Sequence, residues 1–201
     1  MDLVSSQLKK KFEEIIGGYI TPLSKLGITP NHITILGVVV SICSAFFFAT
    51  WSINPSRLTI AGLLLLLSGF LDAIDGVLAR KTGQISKFGG FFDSVSDRYS
   101  DAIELSGVII GGLCNPIIGL AALTGSMMVS YARARAEAEG INMAGVGLAE
   151  RAERMIFLAL CSFVAPYWLD ALNWGVLVLA ILAHATVLQR AMYFKKEISK
   201  V

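Results

Sequence analysis

Long stretches without a charged residue constrain this sequence more than any other feature. Such stretches cover residues 26–56, 105–132 and 171–189, and another apolar run extends from Leu58 to Leu71. A helix needs about 20 mostly apolar residues to cross a bilayer. Only 16% of the 201 residues are charged, against about 25% in soluble domains. The sequence therefore predicts an all-α membrane protein rather than a soluble domain with buried helices.

Turn signals divide the chain into six predicted transmembrane helices. Asn-Pro pairs, glycines and the charged segment 81–87 interrupt the apolar runs, as is typical of helix ends. The predicted helices cover about 31–51, 58–80, 88–113, 116–138, 151–168 and 171–194. They would form one six-helix transmembrane core over residues 28–195, so that residues 1–201 constitute a single domain.

Residues 1–20 differ from this core and are predicted to form an amphipathic helix in the membrane interface. Lysines and glutamates separate apolar residues that recur at helical spacing. These apolar residues are Val4, Leu8, Phe12, Ile15 and Tyr19.

The distribution of basic residues predicts the orientation in the membrane. With six spanning helices, 16 of the 17 Lys and Arg residues fall on one side, and only Arg57 falls on the other. Basic residues are enriched on the cytoplasmic side of membrane proteins. Both termini are therefore expected in the cytoplasm, with the protein in the cytoplasmic membrane. Nucleic acid is not expected among the partners of this membrane-embedded chain.

Carboxylates interrupt two of the predicted helices, where ionised groups are costly and usually face a cavity or a partner. Asp72 and Asp75 lie in the second helix, and Asp93 and Asp97 lie in the third. Side chains three or four residues apart share a helix face. The short connection between the two helices makes them antiparallel neighbours. The four carboxylates are therefore predicted to converge near the cytoplasmic end.

Four neighbouring carboxylates cannot all stay ionised without a cation. Oxygen donors suit Mg²⁺ or Mn²⁺ rather than zinc, and clustered carboxylates can hold two metal ions for phosphoryl transfer. Gly76, directly after Asp75, lets a ligand approach the helix backbone. Two alternatives remain open on spacing alone. One is a structural network of the aspartates with Arg80 and Arg98, and the other is a cation or proton transporter with a carboxylate relay.

The same segment resembles the signature of the CDP-alcohol phosphotransferases. It reads DAIDGVLAR from Asp72 to Arg80 and, after eight residues, GGFFDSVSD from Gly89 to Asp97. The family pattern is D-x-x-D-G-x-x-A-R, eight residues, then G-x-x-x-D-x-x-x-D, and this sequence agrees with it at every defined position. The resemblance extends over about residues 20–195.

This resemblance implies an integral membrane enzyme that moves the lipid-side phosphate group of a CDP-linked lipid onto an alcohol and releases CMP. Asp72, Asp75 and Asp93 would hold two Mg²⁺ or Mn²⁺ ions, and Asp97 would be both a ligand and the general base. The family also implies a homodimer. The position of the four carboxylates predicts an active site at the cytoplasmic side. The residues implied in binding the CDP-lipid are Asn31, Thr34, Gly76, Arg80 and Ser86.

Arginines gather at predicted helix ends on the cytoplasmic side. The fourth helix ends with SYARARAE, and the fifth begins with ERAER. Arginine suits a phosphate dianion better than a neutral polyol, although anchoring of helix ends explains part of the pattern. The two segments are similar to the inositol-phosphate-using branch of the family, which implies myo-inositol 1-phosphate as the acceptor. The implied ligands of its phosphate are Arg133, Arg151, Arg154 and Arg190.

Several questions stay open at the level of sequence. The acceptor could instead be glycerol 3-phosphate or another alcohol, and the lipid could contain diacylglycerol or archaeol. Asp101 and Glu104 lie outside the family pattern, and we interpret them as local ion-pair partners with Arg98 as a candidate. We interpret His32 and His184 as structural rather than catalytic.

Overall fold

A computed structural model describes Gly18, Ile20 and residues 27–199. This part of the chain contains six α-helices, a short 3-10 helix (Trp51–Ile53) and no β-strand. The all-α prediction is therefore confirmed for these residues, whereas the interfacial helix predicted over residues 1–20 lies largely outside them. The α-helices are α1 (Pro30–Ala49), α2 (Ser56–Thr82), α3 (Lys87–Ile110), α4 (Pro116–Ala138), α5 (Arg151–Val164) and α6 (Asp170–Ile198).

Four of these described helices, α1, α2, α4 and α6, are long and apolar enough to cross a membrane. The other two differ in charge and length. Helix α3 has 24 residues and carries several acidic groups. Helix α5 has 14 residues and ends at Val164 rather than at the predicted residue 168, because Pro166 has no N–H to continue the helix. Six spanning helices remain a prediction.

The helix ends follow from local capping chemistry. The side chain of Asn115 accepts a hydrogen bond from the backbone N–H of Ile117 at 2.9 Å, and Pro116 occupies the first turn of α4. Helix α4 is followed by Gly140 with a φ of 80°, a backbone conformation that glycine adopts without a Cβ clash. These caps fix the boundaries of α4 close to the predicted ones.

The chain divides into two compact units, and each has its own apolar core. The first unit combines the described residues of Met1–Val40 with Leu67–Ser100. It thus contains the first half of α1, the second half of α2 and the first half of α3. Its buried core residues are Ile20, Ile33, Ile74, Val77 and Leu78.

The second unit comprises Ser41–Leu66 and the described residues of Asp101–Val201. Helix α4 packs along α6, and α5 packs against α6. Glycine allows this close approach, since a Cβ added to Gly175 would lie 2.5 Å from the Sγ of Cys161. The core includes the fully buried residues Phe48, Leu58, Leu65, Val108, Leu172 and Val176.

Candidate active site

Three of the four predicted metal ligands converge in the first unit. Asp72 and Asp75 lie one turn apart on α2, and Asp93 lies in the second turn of α3. One carboxylate oxygen from each residue lies within 4.8 Å of the others. The i,i+3 spacing on α2 and the short connection to α3 are sufficient to produce this arrangement, as the sequence predicted.

The donor set fits a hard divalent cation. All three groups offer carboxylate oxygens, the ligand type that Mg²⁺ and Mn²⁺ prefer. Opposite ligands of an octahedral Mg²⁺ ion lie about 4.2 Å apart, close to the 4.8 Å within which the three oxygens already lie. Small side-chain movements would bring these oxygens to bonding distance of one ion.

Asp97 stands apart from this group of three. Its carboxylate is not among the clustered oxygens, and its Oδ2 lies 3.1 Å from a guanidinium nitrogen of Arg98. The Asp97 side chain keeps 17% of its surface exposed. The sequence assigned Asp97 two roles, ligand and general base, and both remain predictions.

A threonine from the first helix supports the carboxylate of Asp75. The hydroxyl of Thr34 donates a hydrogen bond to Asp75 Oδ2 at 2.5 Å, and it also lies 3.1 Å from the carbonyl oxygen of Pro30. Thr34 and Asp75 are both buried. A hydrogen bond to a carboxylate that ligates a metal typically orients it. Thr34 therefore fixes one of the three predicted metal-binding groups.

A cleft of about 470 Å³ opens beside the aspartates within the first unit. Ligand-binding clefts typically measure about 300–1,000 Å³. The cleft is lined by all five residues predicted to bind the CDP-lipid, together with two of the predicted metal ligands. These lining residues are Asn31, Thr34, Asp75, Gly76, Arg80, Ser86 and Asp93.

The Arg80 guanidinium lies beside Gly76 in this structure. Gly76 and Arg80 are one helical turn apart on α2, so Arg80 can fold back over Gly76. A Cβ added to Gly76 would lie 3.2 Å from one terminal nitrogen of the Arg80 guanidinium. Glycine therefore keeps the guanidinium of Arg80 close to the helix surface at the wall of the cleft.

The first turn of α3 and the residue before it also line the cleft. The hydroxyl of Ser86 accepts a hydrogen bond from the backbone N–H of Gly89 at 2.9 Å, which is the geometry of an N-terminal cap. A Cβ at Gly89 would lie 3.0 Å from this hydroxyl and 3.7 Å from Oδ1 of Asn31. Ser86 thus has a structural role besides its predicted role in CDP-lipid binding, and Gly89 leaves space between it and Asn31.

In the second unit, the glutamates of the segment ERAER cap α5. The side chain of Glu150 accepts a hydrogen bond from the backbone N–H of Glu153, whose own carboxylate accepts one from the backbone N–H of Glu150. This reciprocal arrangement is a capping box. The two glutamates therefore explain the start of α5, while the arginines between and after them point elsewhere.

Arg151 and Arg154 both contact Asp101 of α3. Arg151 Nε donates a hydrogen bond to Asp101 Oδ1 at 2.9 Å, and a terminal nitrogen of Arg154 lies 3.5 Å from Oδ2. Asp101 is thus an ion-pair partner, as expected, but of α5 rather than of Arg98, whose guanidinium instead contacts Asp97. Glu104 is 2% exposed and forms a hydrogen bond with Ser41 instead of an ion pair with Arg98.

The other two predicted phosphate ligands have different surroundings. Arg133 Nε donates to Glu137 Oε1 at 2.8 Å, one turn along α4, and 46% of the Arg133 side chain is exposed. Arg190 is 3% exposed. It donates to the backbone carbonyl oxygens of Val129 at 2.5 Å and Val146 at 2.8 Å. Arg190 therefore connects α6 to α4 and to the loop before α5.

The comparison with protein families agrees with the aspartate pattern. Residues 27–188 match the family model described as CDP-alcohol phosphatidyltransferase. This match covers most of the chain and the whole aspartate cleft. The chain belongs to the CDP-alcohol phosphatidyltransferase family. It is therefore an enzyme, a transferase, and the transporter hypothesis is set aside.

Individual members of this family are similar along nearly the whole chain. The archaetidylinositol phosphate synthase of Pyrococcus horikoshii is 40% identical over 193 residues, which cover 96% of this chain and 97% of that protein. The crystal structure of the Mycobacterium tuberculosis phosphatidylinositol phosphate synthase with CDP-DAG bound has a TM-score of 0.77 and 30% identity, covering 90% of this chain and 92% of that one. The same synthase with manganese and citrate has a TM-score of 0.76, 30% identity and coverage of 90% and 87%.

Some features of this phosphatidyltransferase were not predicted from its sequence. Gln84 and Ile85 also line the cleft, but they occupy ordinary loop positions outside the family pattern. The pairing of Asp101 with Arg151 joins residues 50 positions apart, for which the sequence gives no local signal. His184 Nε2 lies 3.2 Å from the carbonyl oxygen of Ala121, in agreement with a structural role.

Proposed function

We propose that this enzyme transfers the phosphatidyl-type group of a CDP-linked lipid to myo-inositol 1-phosphate and releases CMP. The observation that carries the proposal is the cleft in the first unit, where carboxylates of the three-aspartate cluster meet the residues predicted to bind the CDP-lipid. The named similar synthases, which make inositol-containing phospholipid phosphates, support the choice of acceptor.

Asp72, Asp75 and Asp93, with Asp97, would hold divalent metal, Mg²⁺ or Mn²⁺, with two ions per site expected from the family. Similarity to a synthase whose structure was determined with manganese supports this assignment. When bound, such ions offset the negative charge that develops on phosphate oxygens during transfer.

The remaining chemistry is assigned to side chains of this protein. Arg80 and the backbone at Gly76 would contact the phosphates of the CDP-lipid, and Asn31, Thr34 and Ser86 would position its nucleotide. Asp97 would accept the proton of the acceptor hydroxyl. The hydroxyl oxygen then forms a bond to the lipid-side phosphorus, the bond between that phosphorus and the CMP oxygen breaks, and CMP leaves with the bonding electrons.

The arginines of the second unit would bind the phosphate of the acceptor. Arg133 and Arg151 keep 46% and 14% of their side-chain surface exposed, and they can offer N–H groups to a phosphate directly. Arg154 and Arg190 are 6% and 3% exposed. Their predicted contribution includes the shape of this region, since both donate to backbone carbonyls beside α5.

The test measures CMP release by the purified protein in liposomes, with each candidate acceptor alcohol added in turn. We expect release from CDP-lipid only when Mg²⁺ or Mn²⁺ and myo-inositol 1-phosphate are both present. Addition of EDTA should stop it, and excess Mg²⁺ should restore it. Release with glycerol 3-phosphate but not with inositol phosphate would favour the second acceptor hypothesis. No release with any acceptor would contradict the enzyme mechanism.

The lipid portion is tested in the same assay. CDP-diacylglycerol and CDP-archaeol share the pyrophosphate and the nucleotide, which are the groups that the cleft residues would recognise. We expect both to support CMP release, and the ratio of their kcat/KM values identifies the preferred lipid. The archaeal synthase that is 40% identical favours CDP-archaeol.

We further propose that all six helices lie in the cytoplasmic membrane as one domain, preceded by the interfacial helix, with both termini and the active site at the cytoplasmic side. Two observations support this topology: the long apolar helices, and the predicted location of every Lys and Arg residue except Arg57 on one side of the membrane. A reporter enzyme that is active only in the cytoplasm should be active when fused to the C-terminus. The family suggests a homodimer, which cross-linking in native membranes would test.

A further inference from the structure

We propose that Gln84 is a further substrate-binding residue, whose side-chain amide binds the cytosine base of the CDP-lipid. This inference rests on the proposed function. Gln84 and its neighbour Ile85 line the cleft of the first unit. They lie among the eight positions that the family pattern leaves undefined between Arg80 and Gly89, so the pattern assigns them no role.

Capping bonds at both ends hold the connection between α2 and α3 in place. The backbone N–H of Gln84 donates a hydrogen bond to the carbonyl oxygen of Ala79 at 2.9 Å, and Gly83 has a φ of 69°. This is the bond pattern of a Schellman cap, which commonly ends a helix at a glycine. Two residues further on, Ser86 caps α3 through its bond with Gly89. The backbone of Gln84 is therefore fixed at the cleft, while the residue itself is exposed.

The position of Gln84 along the cleft corresponds to the nucleoside end of the substrate. Asp75 and Arg80 lie on successive turns of α2, and Gln84 follows just beyond the end of this helix. At about 1.5 Å per residue, the end of α2 at Thr82 lies about 10 Å from Asp75 along the helix axis. The apolar half of α2 precedes the aspartates, and basic residues occupy its last turn. With the pyrophosphate beside the carboxylates, the lipid chains would extend toward the apolar half and the polar nucleoside toward Gln84.

The chemistry of the Gln84 amide suits a cytosine ring. The amide oxygen accepts hydrogen bonds and the amide nitrogen donates them, whereas cytosine offers an amino donor and ring acceptors at its Watson–Crick edge. Proteins bind unpaired bases by hydrogen bonds to this edge and by packing apolar side chains against the ring. Ile85, which is 71% exposed, and Pro30 supply apolar surface in the lining of the same cleft. Gln84 and Ile85 together therefore offer both kinds of contact.

The test measures equilibrium binding of CMP, UMP and ribose 5-phosphate to the purified protein with Mg²⁺ present. Ribose 5-phosphate has a sugar and a phosphate, as CMP does, but no base. In Gln84→Ala we expect the Kd for CMP to rise about fivefold, the effect of losing a hydrogen bond, while the Kd for ribose 5-phosphate stays unchanged. A CMP Kd that is unchanged, or that rises together with the ribose 5-phosphate Kd, overturns the proposal.

A second variant, Gln84→Glu, keeps the size of the side chain but replaces the amide by a carboxylate that only accepts hydrogen bonds. Its charge repels the phosphates of CMP and UMP equally, so the ratio of their Kd values reports on the base alone. A carboxylate accepts from the amino group of cytosine, where uracil has a carbonyl oxygen, so a contact there increases the preference for CMP. A contact at the neighbouring ring nitrogen shifts the preference toward UMP instead, because that nitrogen is an acceptor in cytosine and a donor in uracil. We expect the ratio to change by at least about fivefold, and an unchanged ratio overturns the proposal.

The matched control is Thr82→Ala, which shortens a polar side chain two residues before Gln84. The Thr82 hydroxyl donates to the carbonyl oxygen of Leu78 within α2 at 2.7 Å, and Thr82 lies outside the lining of the cleft. All three Kd values should match those of the wild type. If Thr82→Ala raises the CMP Kd as much as Gln84→Ala does, the effect belongs to the end of α2 and the proposal is wrong.

Failure of this inference is distinguishable from failure of the proposed function, because binding is measured without turnover. If the wild type releases CMP from CDP-lipid but the Gln84 variants bind the three probes as the wild type does, only the base-binding role fails. If no acceptor supports CMP release, while CMP binding depends on Gln84 as expected, the base-binding role stands and the proposed reaction fails.

Discussion

The two compact units differ in what surrounds their charged side chains. In the first unit, Asp75 and Asp93 line a cleft of about 470 Å³. In the second unit, Arg151 and Arg154 contact the carboxylate of Asp101 around a cavity of about 30 Å³. The difference teaches that the aspartates are arranged around space for a ligand, whereas the arginines are oriented by groups of the protein itself. Four substitutions test this contrast.

The largest effect is expected from removing one carboxylate of the cluster. Asp75→Asn replaces a charged donor by a neutral one and weakens both metal binding and the bond with Thr34. We expect kcat/KM for CMP release to fall by about a thousandfold, measured across a titration of Mg²⁺ and Mn²⁺. Asp170→Asn, at an exposed position at the start of α6, is the control and should behave like the wild type. Near wild-type turnover in Asp75→Asn would show that the cluster is not the metal centre.

The next effect distinguishes Asp97 from the three clustered aspartates. Asp97→Asn cannot accept a proton, so we expect kcat to fall by about a hundredfold or more, the usual contribution of a general base. Binding of CDP-lipid, measured by equilibrium dialysis with Mg²⁺, should be largely retained. If binding is lost together with turnover, Asp97 acts mainly as a metal ligand and the division of roles is wrong.

A smaller effect is expected at the wall of the cleft. In Gly76→Ala the new methyl group would lie 3.2 Å from the Arg80 guanidinium, which must move by a few tenths of an ångström. We expect the KM for CDP-lipid to rise about fivefold, as for a modest overpacking cost. The comparison is Gly90→Ala, where no atom lies within 4 Å of an added Cβ, and its effect should be smaller. An equal effect of the two substitutions would argue against the role assigned to Arg80.

The smallest effect on turnover, but a measurable one on stability, is expected for Arg190→Lys. Lysine keeps the charge but cannot donate to the carbonyl oxygens of both Val129 and Val146 with the geometry of a guanidinium. We expect the free energy of unfolding to fall by about 1–3 kcal/mol, seen as a lower melting temperature in detergent. Arg135→Lys, in the exposed pair with Glu139, should leave the melting temperature almost unchanged. If the melting temperature of Arg190→Lys is unchanged, the main role of Arg190 is phosphate binding rather than stabilisation of the fold.

The aspartate site could be predicted from sequence because its geometry is local. Asp72 and Asp75 are three residues apart on one helix, and the connection to the helix that carries Asp93 is short. Helical periodicity and one turn are enough to bring the three groups together. Gly76 and Arg80 follow the same logic, since their contact spans a single helical turn.

The arginine region was less predictable because its contacts are long-range. Arg151 meets Asp101 across 50 residues, and Arg190 meets Val129 across 61. No periodicity encodes such pairs. The segment ERAER also combines two functions that spacing alone does not separate, since Glu150 caps α5 with Glu153 while the arginines contact other groups.

The short fifth helix has a consequence for how the protein is made. At about 1.5 Å per residue, the 14 residues of α5 extend about 21 Å, less than the hydrocarbon thickness of about 30 Å. Helix α6 has 29 residues and follows after a tight turn, and Gly175 lets the two helices pack closely. We therefore expect α5 to be held by the insertion machinery until α6 has been synthesised, so that the two enter the bilayer together as a helical hairpin.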